Sequence, residues 1–256
     1  MVVAAECVYD RGAAAPARRA TEPRVQKDYE AIYRDRAEDY DRLVSAEDAD
    51  HNLPPALAAI APPNGATFVD VGAGTGRITR ILLAGGARTV IAFDRSAAML
   101  AVATRRLARE PRVRWSVEVA DASALPIAAN EVDHAIAGWV FGHLRTWTAD
   151  WRAAIGAGLR EMERVIRPGG AVIVIETLGT GNEQPAPPTP ELAEYYRWLE
   201  EEQGMSRTWV RTDYAFADPA AASELTGFFF GPEAAVRARA SRSLRLPECT
   251  GIWWKR

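Results

Sequence analysis

Three acidic residues that each follow a predicted strand give the first indication of chemistry. Asp70 ends an apolar run, Asp94 ends the next predicted strand, and Asp121 follows the third. The carboxyl ends of parallel strands meet at one edge of a sheet, where open α/β sheets bind their ligands. One such acid could simply cap a helix or a turn. Three of them at successive strand ends are better explained as parts of one binding site.

A loop rich in glycine follows the first of these acids. Gly72, Gly74 and Gly76 occupy alternate positions between a predicted strand and a predicted helix. Glycine permits a sharp turn and lets a ligand approach the backbone closely. The helix that follows directs free N–H groups at that ligand. The loop therefore predicts a nucleotide-type site, and a tight strand-to-helix turn is the structural alternative.

The spacing of these residues distinguishes between cofactors. A dinucleotide-binding loop reads G-x-G-x-x-G and holds a pyrophosphate, whereas here the third glycine comes one residue early. Asp70, two residues before the first glycine, would repel a pyrophosphate and attract an ammonium group. S-adenosylmethionine has an ammonium, a ribose and an adenine but no phosphate. Asp94 is placed to accept hydrogen bonds from ribose hydroxyls, and Asp121 from the exocyclic amine of a purine.

The surrounding pattern predicts the elements that position these residues. Strand-like and helix-like segments alternate over 66–177, which is typical of parallel strands joined by right-handed crossovers. A long helix is predicted over 148–167, because apolar residues recur there at spacings of four and three. The later predicted elements are a helix, a strand, a helix and a strand over 190–203, 207–216, 218–240 and 243–253.

One domain with an N-terminal addition is the simplest organisation. Residues 1–23 are rich in Ala, Arg and Pro without a sustained period and are predicted to be a flexible tail. Residues 24–63 are predicted to form a helical lid, since tyrosines recur along one helical stripe in its first half. The cofactor-binding domain would span 64–256, with a cap insertion over 177–206.

Four segments occur in a fixed order along the chain: 69–76 (VDVGAGTG), 94–100 (DRSAAML), 120–126 (ADASALP) and 164–170 (RVIRPGG). They resemble the class I S-adenosylmethionine-dependent methyltransferases, in the small-molecule branch of the ubiquinone/menaquinone-biosynthesis (type 11) kind. The resemblance implies an α/β fold with a Rossmann-like, doubly wound sheet of seven strands, the last one antiparallel. It also implies S-adenosyl-L-methionine as cofactor and S-adenosyl-L-homocysteine as product.

The resemblance also implies roles for individual residues. Asp70 and the loop 72–76 would lie near the methionine part of the cofactor, and Asp94 would bind the ribose. Met99 would contact the adenine, and the Ala122 N–H would bind its edge. The residues predicted to bind the cofactor are Tyr33, Tyr40, Asp70, Gly72, Ala73, Gly74, Gly76, Asp94, Arg95, Met99, Asp121, Ala122 and Gly138.

Two residues are candidates for catalysis. Methyl transfer is an in-line displacement at a carbon that the sulfonium already activates, so a base is needed only where the acceptor must lose a proton. His143, after the predicted fourth strand, could be that base or a structural histidine bonded to a loop carbonyl. Glu176, after the fifth strand, could bind a cationic acceptor or pair with an arginine. No metal-binding residue is predicted, because no His, Cys and carboxylate cluster has ligand spacing.

Composition limits the expected partners. The formal net charge of the 256 residues is −3 and no basic stripe offers a phosphate footprint, so nucleic acid is not expected. No apolar stretch approaches the ~20 residues of a membrane helix, and the N-terminus lacks a signal-peptide pattern. Two cysteines do not suggest a disulfide scaffold. We expect a cytoplasmic enzyme that methylates an O, N or C atom of a small molecule. The sequence does not indicate its oligomeric state.

Three alternatives stay open from the sequence. They are a nucleic-acid or protein methyltransferase, a dehydrogenase of similar architecture, and a non-catalytic protein that binds S-adenosylmethionine for regulation or scaffolding. The glycine spacing argues against the dehydrogenase. The absence of an Asn/Asp-Pro-Pro-aromatic motif after the fourth predicted strand argues against amino-group methylation of DNA. The acidic residues favour cofactor binding in both a catalytic and a regulatory protein.

Overall fold

A computed structural model of the chain describes residues 28–240 and 244–256. The predicted tail and the first residues of the predicted lid, 24–27, lie outside these ranges. The helices are α1 (Tyr29–Asp35), α2 (Ala37–Val44), α3 (Leu53–Ile60), α4 (Arg77–Ala84), α5 (Ala97–Leu107), α6 (Phe141–Trp147), α7 (Trp151–Val165), α8 (Pro190–Glu201), α9 (Pro219–Phe230) and α10 (Pro232–Ala240). The strands are β1 (Thr67–Val71), β2 (Thr89–Asp94), β3 (Trp115–Val119), β4 (Val132–Gly138), β5 (Ile166–Thr180), β6 (Ser206–Arg211), β7 (Tyr214–Ala215), β8 (Arg245–Leu246) and β9 (Glu248–Lys255).

Seven of these strands form one sheet in the order β3-β2-β1-β4-β5-β9-β6. The strands β1 to β5 pair in parallel, and β9 runs antiparallel to both β5 and β6. This architecture confirms the predicted seven-stranded sheet with an antiparallel last strand. The strand order changes direction between β1 and β4. Open α/β sheets bind their ligands outside the carboxyl ends of the strands at such a point.

Apolar side chains from the helices cover both faces of the sheet. On one face α7 buries Trp151, Ile155, Leu159 and Met162, which share one helical stripe. Trp151 packs edge-on against Tyr195 and Trp198 of α8, so its role is in the core. On the other face α3 and α4 pack Leu53, Leu57, Ile78 and Leu82 against the sheet.

Several helices begin at side chains that the sequence places for capping. Ser96, Asp150, Thr189 and Asp218 each accept a hydrogen bond from the N–H three residues later. Such a cap satisfies an N–H group that has no partner inside the helix. The cap at Asp150 explains why α7 begins at Trp151 and not at the predicted residue 148. Among the described helices none is both long and apolar enough to cross a bilayer.

The structure differs from the predicted elements in several places. The described part of the first half of the predicted lid contains two helices, since Arg36 leaves the helical conformation at φ −130° between α1 and α2. The helix predicted over 218–240 is divided into α9 and α10 at Gly231, and the strand predicted over 243–253 corresponds to β8 and β9. Helix α6 was not predicted and follows β4 almost directly. The strand predicted over 207–216 is divided into β6 and β7, and β7 pairs with β8 in a separate small sheet.

Candidate active site

A cavity of about 730 Å³ lies at the carboxyl ends of β1, β2 and β4. Its size falls within the range of roughly 300–1,000 Å³ that is usual for cofactor and small-molecule pockets. The predicted site residues that line it are Tyr33, Tyr40, Gly72, Gly74, Asp94, Arg95, Met99, Asp121, Ala122, Gly138 and His143. The fold therefore brings together residues that are up to about 110 positions apart in the sequence.

The glycine loop forms one wall of this first cavity. Gly72 has φ +68°, and a Cβ atom there would overlap the Val140 side chain. Gly74 has φ +56° and faces the Met99 side chain. Only glycine meets both demands at Gly72 without strain. Gly76, also predicted to bind the cofactor, lines neither this cavity nor the second one described below. It caps the start of α4 at φ +82°, and a Cβ atom there would lie 3.2 Å from the Ala103 side chain of α5.

Asp94 links the glycine loop to helix α5. Its Oδ2 accepts a hydrogen bond from the Gly74 N–H at 2.8 Å, and its Oδ1 accepts one from the Ser96 N–H at 2.8 Å. Burial raises the pKa of this carboxyl above its usual value, and the two N–H donors oppose that rise. Each carboxylate oxygen keeps a further lone pair, so Asp94 is fixed in place and can still accept bonds from a ligand.

The opposite end of the cavity is more exposed. Asp121 Oδ1 accepts bonds from the Ser123 hydroxyl at 2.7 Å and the Ser123 N–H at 2.9 Å, and these bonds lower the pKa of the carboxyl. Arg95 Nε lies 4.0 Å from Asp121 Oδ2. Met99, by contrast, is buried and presents its side chain beside Gly74. An apolar surface next to an ionised rim suits a flat heterocycle with an exocyclic amine.

A second cavity, of about 340 Å³, adjoins the first. The residues that line both cavities are Tyr33, Tyr40, Gly72, Gly74, Gly138, Trp139 and His143. Asp70, Ala73 and Glu176, which were predicted for the same site, line the second cavity and not the first. The other walls come from the lid helices α1 and α2, the ends of β5 and β9, and helices α8 and α9. Helix α3 packs in the core and takes no part in either cavity.

Asp70 is buried at the edge of the second cavity with one oxygen unused. Its Oδ2 accepts a bond from the Thr79 hydroxyl at 2.6 Å, while Oδ1 has no hydrogen-bond partner among the described residues. Burial raises the pKa of Asp70 to about 7. A cation at Oδ1 would supply the missing partner and favour the ionised form.

His143 joins the lid to the shared wall. Its Nε2 lies 2.7 Å from the Tyr33 hydroxyl, and its ring stacks on Trp147 with centroids 5.0 Å apart. Burial lowers the pKa of His143 to about 4, so the imidazole is neutral at pH 7. A neutral ring with its proton on Nδ1 accepts the Tyr33 O–H at Nε2. The Tyr33 carbonyl in turn accepts a bond from the Ser96 hydroxyl at 3.0 Å.

Glu176 lies at the end of β5 beneath helix α6. Its Oε1 accepts the Gly142 N–H at 2.8 Å and the Tyr195 O–H at 3.4 Å. Burial raises the pKa of Glu176 to about 8. Within the described ranges no arginine or lysine pairs with it, so the arginine pairing considered from the sequence is absent there. Gly142 leaves room for this carboxylate, because a Cβ atom there would lie 2.8 Å from Oε2.

The residues of the second cavity that the sequence analysis missed include an ion pair, a tyrosine and a glutamate. Arg77 pairs with Glu47 at 2.7 Å, and its guanidinium lies 4.5 Å above the Trp139 ring. Tyr214 and Glu248 lie in the same wall. Of these four, Glu248 gave the one usable signal, as an acid at the start of a strand whose next six residues are uncharged. Glu47 and Arg77 stand in helical or loop segments where a charged residue is ordinary.

Part of the chain is similar to known methyltransferases. Residues 69–174 match the type 11 family model described as "Methyltransferase domain". A demethylmenaquinone methyltransferase of Clavibacter sepedonicus is 38% identical over 118 residues, which are 46% of this chain and 44% of that protein. A 2-phytyl-1,4-naphtoquinone methyltransferase of Thermosynechococcus vestitus is 30% identical over 138 residues, 53% of this chain and 54% of that protein. The chain thus spans about half the length of the curated relatives it matches.

Solved structures show the same fold. The YcgJ protein of Bacillus subtilis superimposes with a TM-score of 0.53 and 14% identity, over 80% of this chain and 97% of that one. A putative methyltransferase of Bacillus halodurans gives a TM-score of 0.51 and 16% identity, over 78% of this chain and 96% of that one. At such identities the likeness concerns the fold alone.

Proposed function

We propose that this chain, whose residues 69–174 form a class I S-adenosylmethionine-dependent methyltransferase domain of the type 11 kind, methylates a small-molecule acceptor. The observation that carries the proposal is the wall shared by the two cavities. A cofactor whose nucleoside part lies in the first cavity would pass Gly72, Gly138 and His143 and place its methionine part beside Asp70 in the second. Acceptor and methyl donor would thus meet inside the protein.

The residues present fit this cofactor. Asp94 would hold the ribose, Met99 the adenine, and Asp121 with Ala122 the edge of the base. The unpartnered oxygen of Asp70 would bind the ammonium, beside the glycine loop that leaves space for the methionine part. When bound, S-adenosylmethionine supplies an electrophilic methyl group on a sulfonium. Holding an acceptor in line with that group can lower the barrier by roughly 7–11 kcal/mol.

The two catalytic candidates differ in what they can do. The Nε2 atom of His143 is already bonded to the Tyr33 hydroxyl, and the low pKa of His143 makes it a weak base. We assign it to holding helix α1 over the site. Glu176 has a pKa of about 8, so its ionised form is a comparatively strong carboxylate base. An acceptor O–H or N–H that must lose its proton would pass it to Glu176.

Three observations support a small acceptor over a polymer. The second cavity is lined by residues of α1, α2, α8 and α9, and its volume of about 340 Å³ suits a small molecule. The net charge of −3 provides no general attraction for nucleic acid. The named relatives act on quinone-type small molecules according to their names.

The test combines binding and turnover. Calorimetry should give heat with S-adenosylhomocysteine and much weaker heat with NAD. Incubation of a metabolite extract with methyl-labelled S-adenosylmethionine should then give a labelled small molecule in mass spectrometry. Folded protein that binds neither S-adenosylmethionine nor S-adenosylhomocysteine would overturn the proposal. Tight cofactor binding without labelled product from extracts would favour the non-catalytic, regulatory alternative.

A further inference from the structure

Glu248 is a buried carboxylate with an unused oxygen in the second cavity. It is 2% exposed, and its Oε1 accepts the Thr177 hydroxyl at 2.6 Å. The Thr180 hydroxyl also lies close enough to lower the pKa of this carboxyl, while Oε2 has no hydrogen-bond partner within bonding distance among the described residues. Buried charged groups in proteins are normally paired or fully hydrogen-bonded. Because Glu248 lines the cavity, the missing partner is best supplied by a ligand.

Arg77, the cation that acts on Glu248 among the described residues, is already matched by another acid. Arg77 forms its ion pair with Glu47, and Glu47 also accepts the Thr212 hydroxyl at 3.2 Å. The pKa of Glu248 rises to about 8, first because of burial and second because of the charge on Glu47, while Arg77 opposes that rise. The Arg77–Glu47 pair is neutral as a whole, so among the described residues Arg77 compensates the ionised form of Glu248 only in part.

The wall next to this acid is aromatic. Phe229 and Phe230 from helix α9, with Tyr29 from α1 and Tyr214 from β7, line the same cavity. Phe229 lies 5.2 Å from the Tyr29 ring, and Phe230 lies 6.0 Å from the Tyr214 ring, centroid to centroid. Aromatic faces attract organic cations and pack against apolar bodies. A carboxylate beside such a wall is a combination that recognises an ammonium group.

A metal ion is a poorer occupant of this cavity. Within residues 28–240 and 244–256, no three His, Cys, Asp or Glu side chains are grouped so that they could hold one. Hard cations need several oxygen ligands together, whereas one ammonium needs a single carboxylate and a few further acceptors. Thr177 and Thr180 at the end of β5 supply such acceptors in the same wall.

We propose that the second cavity takes methyl acceptors that carry a protonated amine, with the ammonium bound at Glu248 and the apolar body against Phe229 and Phe230. The inference rests on the proposed function, because it concerns the acceptor side of the same site. A protonated amine has no free electron pair, so it anchors the molecule and a different atom is methylated. The Nη2 of Arg77, which has no hydrogen-bond partner among the described residues, can donate to an oxygen of the same ligand.

The test compares amines with alcohols of the same shape. Full-length protein saturated with S-adenosylhomocysteine is titrated calorimetrically with three matched pairs of compounds. Each pair joins an amine to the analogue that has a hydroxyl in its place: phenethylamine with 2-phenylethanol, tyramine with tyrosol, and phenylalanine with phenyllactate. At least one amine should bind at least tenfold more tightly than its hydroxyl analogue. Glu248→Gln keeps the shape but not the charge and should reduce that preference below twofold. Glu200→Gln is the matched control, since Glu200 accepts the Trp253 indole N–H instead.

A second measurement needs no variant. At pH 7 a carboxyl with a pKa near 8 is mostly protonated, so an ammonium that pairs with it displaces close to one proton. Amine titrations in two buffers of different ionisation enthalpy should reveal that proton, and alcohol titrations should not. Equal binding within every pair, no binding of any amine, or a preference that survives Glu248→Gln would overturn the inference. Absence of S-adenosylhomocysteine binding would instead count against the proposed function.

Discussion

The two adjoining cavities are built in different ways. Apart from lid residues of α1 and α2, the walls of the first come from one continuous part of the chain, between 71 and 157. Its key acids are held by neighbouring N–H groups, as Asp94 is by Gly74 and Ser96. The walls of the second combine the lid helices with the ends of β5 and β9 and with α9. There Asp70 and Glu248 each keep an oxygen without a partner among the described residues.

This difference separates a preorganised site from one that a ligand completes. In the first cavity the hydrogen bonds that orient the carboxylates exist before any ligand arrives, which lowers the cost of binding. In the second, burial raises the pKa values of Asp70, Glu176 and Glu248 to about 7, 8 and 8. The first should therefore be sensitive to shape, and the second to pH and ligand charge.

The largest expected effect is at the glycine loop. Gly72→Ala places a side chain at φ +68° and against Val140, so the loop must move out of the first cavity. We expect affinity for S-adenosylhomocysteine to fall by about 100-fold or more, on the order of 3 kcal/mol. Gly65→Ala is the matched control, because Gly65 has φ +76° with open space around it. That variant should lose stability without losing affinity, and equal losses of affinity would contradict the argument.

A smaller effect is expected at the strand end. Asp94→Ala removes the carboxylate assigned to the ribose and should weaken cofactor binding by about 2 kcal/mol, roughly 30-fold. Asp133→Ala serves as the control, since Asp133 accepts the Thr67 N–H at 2.7 Å at the opposite end of the strands. Calorimetry on both variants, with native circular dichroism, measures the difference. Unchanged affinity in Asp94→Ala would remove the ribose role.

The same contrast explains which parts the sequence predicts. The glycine loop, Asp94 and Asp121 lie in short segments whose local pattern sets both conformation and position, so they could be placed before the structure. Their cavity follows from the parallel order of β1 to β3. The structure gives the position of each of these residues, and their roles in binding the cofactor remain predictions.

The second cavity could not be predicted in this way, because it is formed by contacts between residues that are distant in the sequence. Glu47, Arg77 and Glu248 meet only because β9 inserts between β5 and β6 and because the chain returns after α9. Helix α6 was missed because its seven residues contain Gly142 and two aromatic residues, and a helix this short is stabilised by tertiary packing. The break at Arg36 likewise follows from how α1 and α2 pack on the sheet domain.

The pH dependence of cofactor binding should report on Asp70. With a pKa of about 7, roughly a tenth of this carboxyl is ionised at pH 6 and nine tenths at pH 8. Because the ammonium needs the ionised form, affinity for S-adenosylhomocysteine should rise about tenfold over that interval. The stability of the free protein should show the opposite trend. Because the pKa of Asp70 is raised above its unfolded-state value, this group lowers the unfolding free energy as pH rises from about 4 through 7, and the fall levels off above about 8.

The control for this titration is Asp70→Asn. The amide cannot ionise, so its affinity should stay level between pH 6 and 8, at or below the wild-type value at pH 6. Calorimetric titrations at three pH values are sufficient to compare the two proteins. A wild-type affinity that is flat across the interval would place the ammonium elsewhere.

The smallest expected effect concerns the lid, which belongs to both cavities. Tyr33→Phe removes the 2.7 Å hydrogen bond to His143 Nε2 and leaves the ring in place. The net value of such a bond is about 1 kcal/mol, so we expect a roughly fivefold loss in kcat/KM once an acceptor is known. Hydrogen exchange with bound S-adenosylhomocysteine should show lower protection of residues 29–44 in the variant than in the wild type. Tyr29→Phe is the matched control, since Tyr29 meets His143 through its ring at 5.3 Å. If wild-type protection of 29–44 is the same with and without ligand, these helices are a fixed part of the fold, and Tyr33 stabilises it without closing over the cofactor.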